Sequence, residues 1–221
     1  VAPAFTPAEM ARQREGIRQR TVELLDSLPV GETFDWVDKV SIELTTGMLA
    51  ILFDFPWEDR RLLTKWSDTA ADFEAIEDDE KNRQRWEILF EMVGYFTNLW
   101  NERANKEPRP DLISMMIHSD ATRNMTPQEY LGNLVLLIVG GNDTTRNTMS
   151  GGLLALHQHP GEWRKLRDNP SLVPSLVAET IRYQTPVIHM RRTAKADAEL
   201  GGRQIRRGDK VVMWYISGNR D

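Results

Sequence analysis

The chain has 221 residues, 40% of them hydrophobic and 28% charged, with a net charge of -5 and no cysteine. That length can bury a sizeable core, and the acidic balance offers no electrostatic footprint for a nucleic acid. The lack of cysteine excludes a disulfide framework or a thiolate metal site within these residues, and no apolar run approaches the roughly 20 residues that span a bilayer.

Thr6-Pro7-Ala8-Glu9 reads as a capping box opening a helix that runs to about Leu28. Ile17, Val22, Leu24, Leu25 and Leu28 form its expected apolar stripe, and Pro29 and Gly31 stop it. A second helix is expected from about Phe34 to Leu52, and a third from about Glu58 to Phe73 after the break at Pro56. The acidic run Glu77-Asp78-Asp79-Glu80 reads as a solvated loop or a first helical turn. A fourth helix follows from about Asn82 to Asn105, with Trp86, Leu89, Phe90, Val93, Phe96, Leu99 and Trp100 inward. Pro108 and Pro110 end it, and a short helix from Asp111 to His118 comes next.

The stretch Leu134 to Thr148, LVLLIVGGNDTTRNT, organises the rest. Thr126-Pro127-Gln128-Glu129 is a capping box with Pro at the first helical position, and no proline follows until Pro160. One long helix from about Pro127 to about His157 is therefore expected, apolar on all sides from Leu134 to Val139 and so central. Gly140 and Gly141 each cost about 1 kcal/mol against Ala in a helix interior. Two together suggest a helix opened for the approach of something flat or bulky, with Asn142, Asp143, Thr144 and Thr145 at the opening. The plainer reading is a glycine-softened core helix whose threonines bond back to the carbonyl four residues earlier.

Beyond Pro160 a short helix, a turn at Asp168-Asn169-Pro170, and a helix from about Leu172 to Gln184 are expected, stopped before Pro186. From Val187 the pattern changes to short strands and a hairpin, with Ile205, Val211, Val212, Trp214 and Ile216 in strands. Turns fall at Gly201-Gly202 and Arg207-Gly208-Asp209. His118, His157, His159 and His189 have no metal-ligand spacing, so no metal site is expected from the chain itself.

Gly140-Gly141-Asn142-Asp143-Thr144-Thr145 resembles (A/G)-G-x-(D/E)-T-T, the oxygen-activation motif in the long central helix of the cytochrome P-450 superfamily. Glu179-Thr180-Ile181-Arg182, a few dozen residues later and followed by Pro186 and a strand, resembles the E-x-x-R helix of the same family. The pair at this spacing is far more specific than either alone. Among subfamilies, Val187-Ile188-His189-Met190-Arg191-Arg192-Thr193-Ala194 and the stretch from Phe34-Asp35-Trp36 to Pro56-Trp57 look most like the soluble bacterial alkane hydroxylases, which oxidise terminal methyl groups.

The resemblance implies a mainly α, partial P-450 fold with a long central helix and a small β-sheet region near the C-terminus. It implies a single partial domain over 1–221, truncated at both ends. The family's F-x-x-G-x-x-x-C-x-G loop is absent, so the axial cysteine lies outside this chain and the fragment by itself is expected to be inactive. The implied cofactor is a b-type haem, thiolate-ligated in the full-length protein. Electrons would come ultimately from NAD(P)H through a ferredoxin reductase and a ferredoxin. The implied reaction is insertion of one oxygen atom of dioxygen into an unactivated C–H bond of a small hydrophobic substrate, in the cytoplasm.

Carried over residue by residue, Gly140 and Gly141 would let haem and oxygen approach. Thr144 would hydrogen-bond the oxygen being activated or its water, and Asp143 would relay protons. Arg192, with Arg191 as the close alternative, would bind a haem propionate. Glu179 and Arg182 would form a buried structural pair. Leu136, Val139, Val187, Ile188 and Met190 would line an apolar substrate pocket. Terminal hydroxylation of medium-chain alkanes or fatty chains is the expected activity, with a terpene or steroid as the alternative substrate class. A non-enzymatic helical ligand-binding protein is the remote alternative, and it would have no reason to carry both motifs.

Overall fold

The computed structural model describes residues 5–221. The chain is mainly helical with small antiparallel sheets near its C-terminus. Its contacts group into two compact units, Val1–Arg146 and Asn147–Asp221.

In the first unit, α1 (Pro7–Asp26) begins where Thr6 accepts a hydrogen bond from the Glu9 amide. The expected apolar stripe of this helix is not buried: Ile17, Val22 and Leu25 are all exposed. The second helix does not start as an α-helix. Residues Val37–Ile42 wind as π turns before α2 (Glu43–Phe53), which ends with Asp54 in the left-handed region at φ 48°. Helix α3 (Arg61–Ala71) and helix α4 (Asp79–Arg103) follow, the latter capped by the Asp78 carboxylate on the Lys81 amide. The acidic run is thus partly a cap and first turn. Helix α5 (Leu112–His118) is capped by Asp111, and α6 (Pro127–Gln158) is the long helix. Both capping-box contacts of α6 are present: the Thr126 amide donates to Glu129 at 2.8 Å, and the Glu129 amide donates to the Thr126 hydroxyl at 3.3 Å.

The core of this unit draws Leu49 and Phe53 from α2, Leu63 and Trp66 from α3, Met92 and Phe96 from α4, Ile113 and Met116 from α5, and Leu134 and Ile138 from α6. Edge-on aromatic contacts lock it, with Phe53 and Phe96 ring centroids 5.1 Å apart and Phe55 and Trp66 6.0 Å apart. The inward face of α4 differs from the expected one. Its buried residues Leu89, Met92, Phe96, Leu99 and Arg103 alternate by three and four, so Trp86 and Phe90 fall out of phase and lie exposed. Arg85, one step earlier in that seam, donates to the last carbonyls of α3, Thr69 at 3.1 Å and Ala70 at 3.0 Å.

The second unit holds α7 (Pro160–Asp168), α8 (Val173–Gln184) and two antiparallel pairs. Strand β1 (His189–Thr193) pairs with β4 (Lys210–Trp214), with Arg192 opposite Val211. Strand β2 (Ala198–Leu200) pairs with β3 (Arg203–Ile205) around Gly201 and Gly202, both at positive φ. Ile216, expected in a strand, lies instead in the short helix α9 (Tyr215–Gly218). In α6, a side chain at Gly151 would meet Gln184 at 2.1 Å, and one at Gly152 would meet Thr180 at 2.6 Å. The second glycine pair of α6 is therefore what admits α8.

Arg103 is the charged group on which the first unit closes. It is buried, and it donates to the Phe53 carbonyl at 2.8 Å and the Asp111 carboxylate at 3.0 Å, with a further bond to the Asp54 carbonyl. Asp111, equally buried, also caps α5 through the Ser114 amide at 2.9 Å. Removing one partner of a buried pair strands the other. Arg103→Ala in the full-length protein is expected to cost about 3–5 kcal/mol in chemical denaturation, against under 1 kcal/mol for exposed Arg83→Ala.

Candidate active site

Helix α6 presents two unlike faces. Leu134, Ile138 and Asn142, four residues apart, are 0%, 1% and 0% exposed. Leu136, offset by two residues and so about 200° round the helix, is 70% exposed. The stretch is therefore not buried on all sides: one seam is core, and the opposite side carries Leu136, Gly140 and Thr144. The helix is also not opened at the glycines, because α-helix continues without interruption from Pro127 to Gln158. The π turns of the chain lie instead in Val37–Ile42.

The two glycines have different surroundings. A side chain at Gly140 would meet nothing within 4 Å, whereas one at Gly141 would come within 2.7 Å of Leu49 Cδ2. Gly141 thus lets α2 approach, and Gly140 alone keeps a clear side. Val139 is partly buried against the core. Thr144 donates from its hydroxyl to the Gly140 carbonyl at 3.1 Å, the back-bond that the plainer sequence reading anticipates.

Asp143 is an ion-pair member. Arg146 Nη2 donates to Asp143 Oδ1 at 2.8 Å and to Asp68 Oδ1 of α3 at 2.8 Å. Burial disfavours the Arg146 charge, but the two carboxylates outweigh it and hold its pKa above the usual value. Arg146 belongs to neither family motif, and its place three residues after Asp143 on the same helix is the signal in the sequence that points to the pair.

Asn142, a member of the polar cluster that follows the glycines, is fully buried. Its Oδ1 accepts from the Thr45 hydroxyl of α2 at 2.7 Å. Its amide nitrogen is buried with no partner, at a cost of roughly 1–3 kcal/mol.

In the second unit, Arg182 grips Glu179 with two parallel bonds, Nε to Oε2 at 2.7 Å and Nη2 to Oε1 at 2.6 Å, and it also donates to the Asn219 carbonyl. The mutual attraction lowers the Glu179 pKa and raises that of Arg182. The pair is exposed in this chain, against the expected burial. Arg192 is exposed on β1 and donates to the Arg191 carbonyl at 3.1 Å. Val187, Ile188 and Met190 are exposed. The glycine motif and the Glu179–Arg182–Arg192 group belong to different units. Among the described residues no group of three His, Cys, Asp or Glu could hold a metal ion. No helix among them is long and apolar enough to cross a membrane.

The family model described as Cytochrome P450 matches residues 30–221. The chain belongs to the cytochrome P450 family. Solved P450 structures share its fold closely. Cytochrome P450-153 from Novosphingobium aromaticivorans is 60% identical, with a TM-score of 0.93 over 100% of this chain and 53% of that one. CYP153D17 from Sphingomonas sp. PAMC 26605 is also 60% identical, with a TM-score of 0.92 over 100% of this chain and 55% of that one. Linalool 8-monooxygenase of Pseudomonas putida is 37% identical over 100% of this chain and 54% of its own length. The chain thus spans about half the length of the P450 proteins it matches.

In this P450 chain the fork on Glu179 needs the planar guanidinium, because an ammonium cannot make two parallel bonds and reach Asn219 as well. Arg182→Lys in the full-length protein is expected to lower the ratio of haem to protein severalfold in purified material. A normal ratio would remove the fork from any role in assembling the holoprotein.

Proposed function

We propose that the full-length protein is a haem-dependent monooxygenase that hydroxylates the terminal methyl of a medium-length alkane or fatty chain. The observation that carries the reading is the open face of α6, where an apolar Leu136, an unobstructed Gly140 and the Thr144 hydroxyl stand in line. That face fits a flat cofactor: no side chain obstructs it at Gly140, which lies between the exposed Leu136 one turn before and the Thr144 hydroxyl one turn after. Arg192, exposed and always charged, suits a propionate. The chain offers no thiolate of its own, so the axial ligand would come from elsewhere in the full-length protein.

Haem, when bound, supplies the activation of dioxygen and the insertion of one of its atoms into a C–H bond. What this chain supplies is position and protons. The Thr144 hydroxyl has one proton and two acceptor sites. While it donates to the Gly140 carbonyl, it can accept from water, and turning that proton away from the carbonyl delivers it to the open face. Asp143 is partly exposed and steadied by Arg146, so its carboxylate can collect a proton from solvent within one residue of Thr144. Gly140 keeps the approach clear. Leu136 and Val139 on α6, and separately Val187, Ile188 and Met190 in the second unit, are the residues we propose as apolar contacts for the substrate, and Gly141 sets the approach of α2 to α6. A chain gains about 0.8 kcal/mol per buried methylene, which binds it well and orients it poorly, so terminal selectivity must come from narrow walls.

Two subfamily observations support the alkane reading: the resemblance of segments 187–194 and 34–57 to soluble bacterial alkane hydroxylases, and the absence of charge over Leu134–Gly141. A second reading, a terpene or steroid substrate, is favoured by the name of linalool 8-monooxygenase at 37% identity and by the steroid C26-monooxygenase of Rhodococcus jostii at 33%. We place the protein in the cytoplasm, supplied with electrons from NAD(P)H through a ferredoxin reductase and a ferredoxin.

With the full-length protein and a ferredoxin system, octane and dodecanoic acid are expected to give mainly terminal alcohols. Preference for linalool or a steroid, or mainly subterminal products, overturns the substrate assignment and leaves the monooxygenase reading in place. Thr144→Ala is expected to keep haem and substrate binding while diverting reducing equivalents to hydrogen peroxide. The loss in product formation should approach the roughly 10²-fold lower end for a lost proton-transfer group. Asp143→Asn should slow turnover with less peroxide. Unchanged product per reduced cofactor in Thr144→Ala removes that hydroxyl from the mechanism.

A further inference from the structure

The buried seam of α6 runs Leu134, Ile138, Asn142, and its third member is polar. A seam serving stability alone would continue in leucine, since the Asn142 amide nitrogen finds no partner there. A lone buried Asn in an apolar helix seam fixes register, because any axial slip or rotation strands its remaining hydrogen bond. Here that bond runs to Thr45 of α2 at 2.7 Å, and Thr45 is buried too. Leu49, one turn along the same face of α2, sits against Gly141. Two neighbouring contacts thus hold α6 at one height and one rotation.

The consequence falls on the opposite face. Gly140 and Thr144 each lie two residues from Asn142 and so about 160° away round the helix. We infer that Asn142 and Thr45 are positioning residues: their bond sets the rotational phase of α6 and so aims the Thr144 hydroxyl at the open face. This rests on the assignment of Thr144 to proton delivery above.

The test uses the haem-loaded full-length protein as Thr45→Val, Asn142→Leu and the double variant, with Thr45→Ser and Thr144→Ala beside them. Thermal midpoints, product per reduced cofactor, and the infrared stretch of haem-bound carbon monoxide are measured. The double variant, with an apolar seam, should melt at or above the parent temperature. Its product yield should nonetheless fall about tenfold, short of the roughly 10²-fold that an ångström of misplacement can cost. Its carbon monoxide band should broaden or split, since Thr144 then samples several orientations. Thr45→Ser, which keeps the hydroxyl, should restore a single band and the parent yield. If Asn142→Leu fails to load haem, Thr45→Val, nearly identical in shape, decides alone. A double variant with parent yield and a single band, beside a leaking Thr144→Ala, overturns the inference and spares the function. A Thr144→Ala protein that does not leak instead overturns the proton-delivery reading, and the positioning role with it.

Discussion

The first unit depends on the seam where α6 meets its core. Leu134 and Ile138 are almost wholly removed from water there, and burying side chains of this size is worth about 1.5–3 kcal/mol each. Tyr130 extends the attachment one turn earlier, donating from its phenol to the Phe96 carbonyl at 3.0 Å and meeting Trp100 edge-on. Burial raises the pKa of that phenol, so it remains a donor across the ordinary pH range. Once this side of α6 is fixed, the geometry of the helix leaves the other side with Leu136, Gly140 and Thr144. The candidate chemistry is thus placed by apolar packing on the face that does no chemistry.

Polar groups divide by burial into those that hold the fold and those that do not. Exposed i,i+3 pairs such as Arg83–Glu80 and Lys165–Glu162 contribute little, because water screens them. Arg103 is different: it gathers two backbone carbonyls and a buried carboxylate at the left-handed end of α2. Arg146 lies between these cases, since its side chain is mostly buried while Asp68 is half exposed. It joins α3 to the acid of the glycine motif without closing the site to water.

The glycines show how one residue type serves distinct ends. Gly141, Gly151 and Gly152 each stand where a neighbouring side chain arrives, Leu49, Gln184 and Thr180 respectively. Gly140 faces open space and carries none of that packing. A proposed approach route for a flat cofactor therefore narrows from two glycines to one.

The amino-acid sequence by itself determined the helix order, the capping boxes at Thr6 and Thr126, the hairpin at Gly201-Gly202 and both family motifs. These are local: caps, turn glycines and residue spacings act within a few positions of the chain. It could not phase α4 correctly, because Trp86 and Phe90 are as apolar as Leu89 and only the three-four alternation of partners selects between them. Nor could it find the π turns of Val37–Ile42, since π and α windings draw on the same residues. The two faces of Leu134–Val139 were invisible for a like reason: every residue there is apolar, so no periodicity marks which side meets the core. Only the tertiary structure decided that Asn142 points inward to Thr45, that Gly141 belongs to α2, and that Asp143 shares Arg146 with Asp68. Each of those contacts joins residues 78 to 97 positions apart or depends on a helix–helix distance. Distance and facing between elements are set by packing, and a linear pattern carries neither.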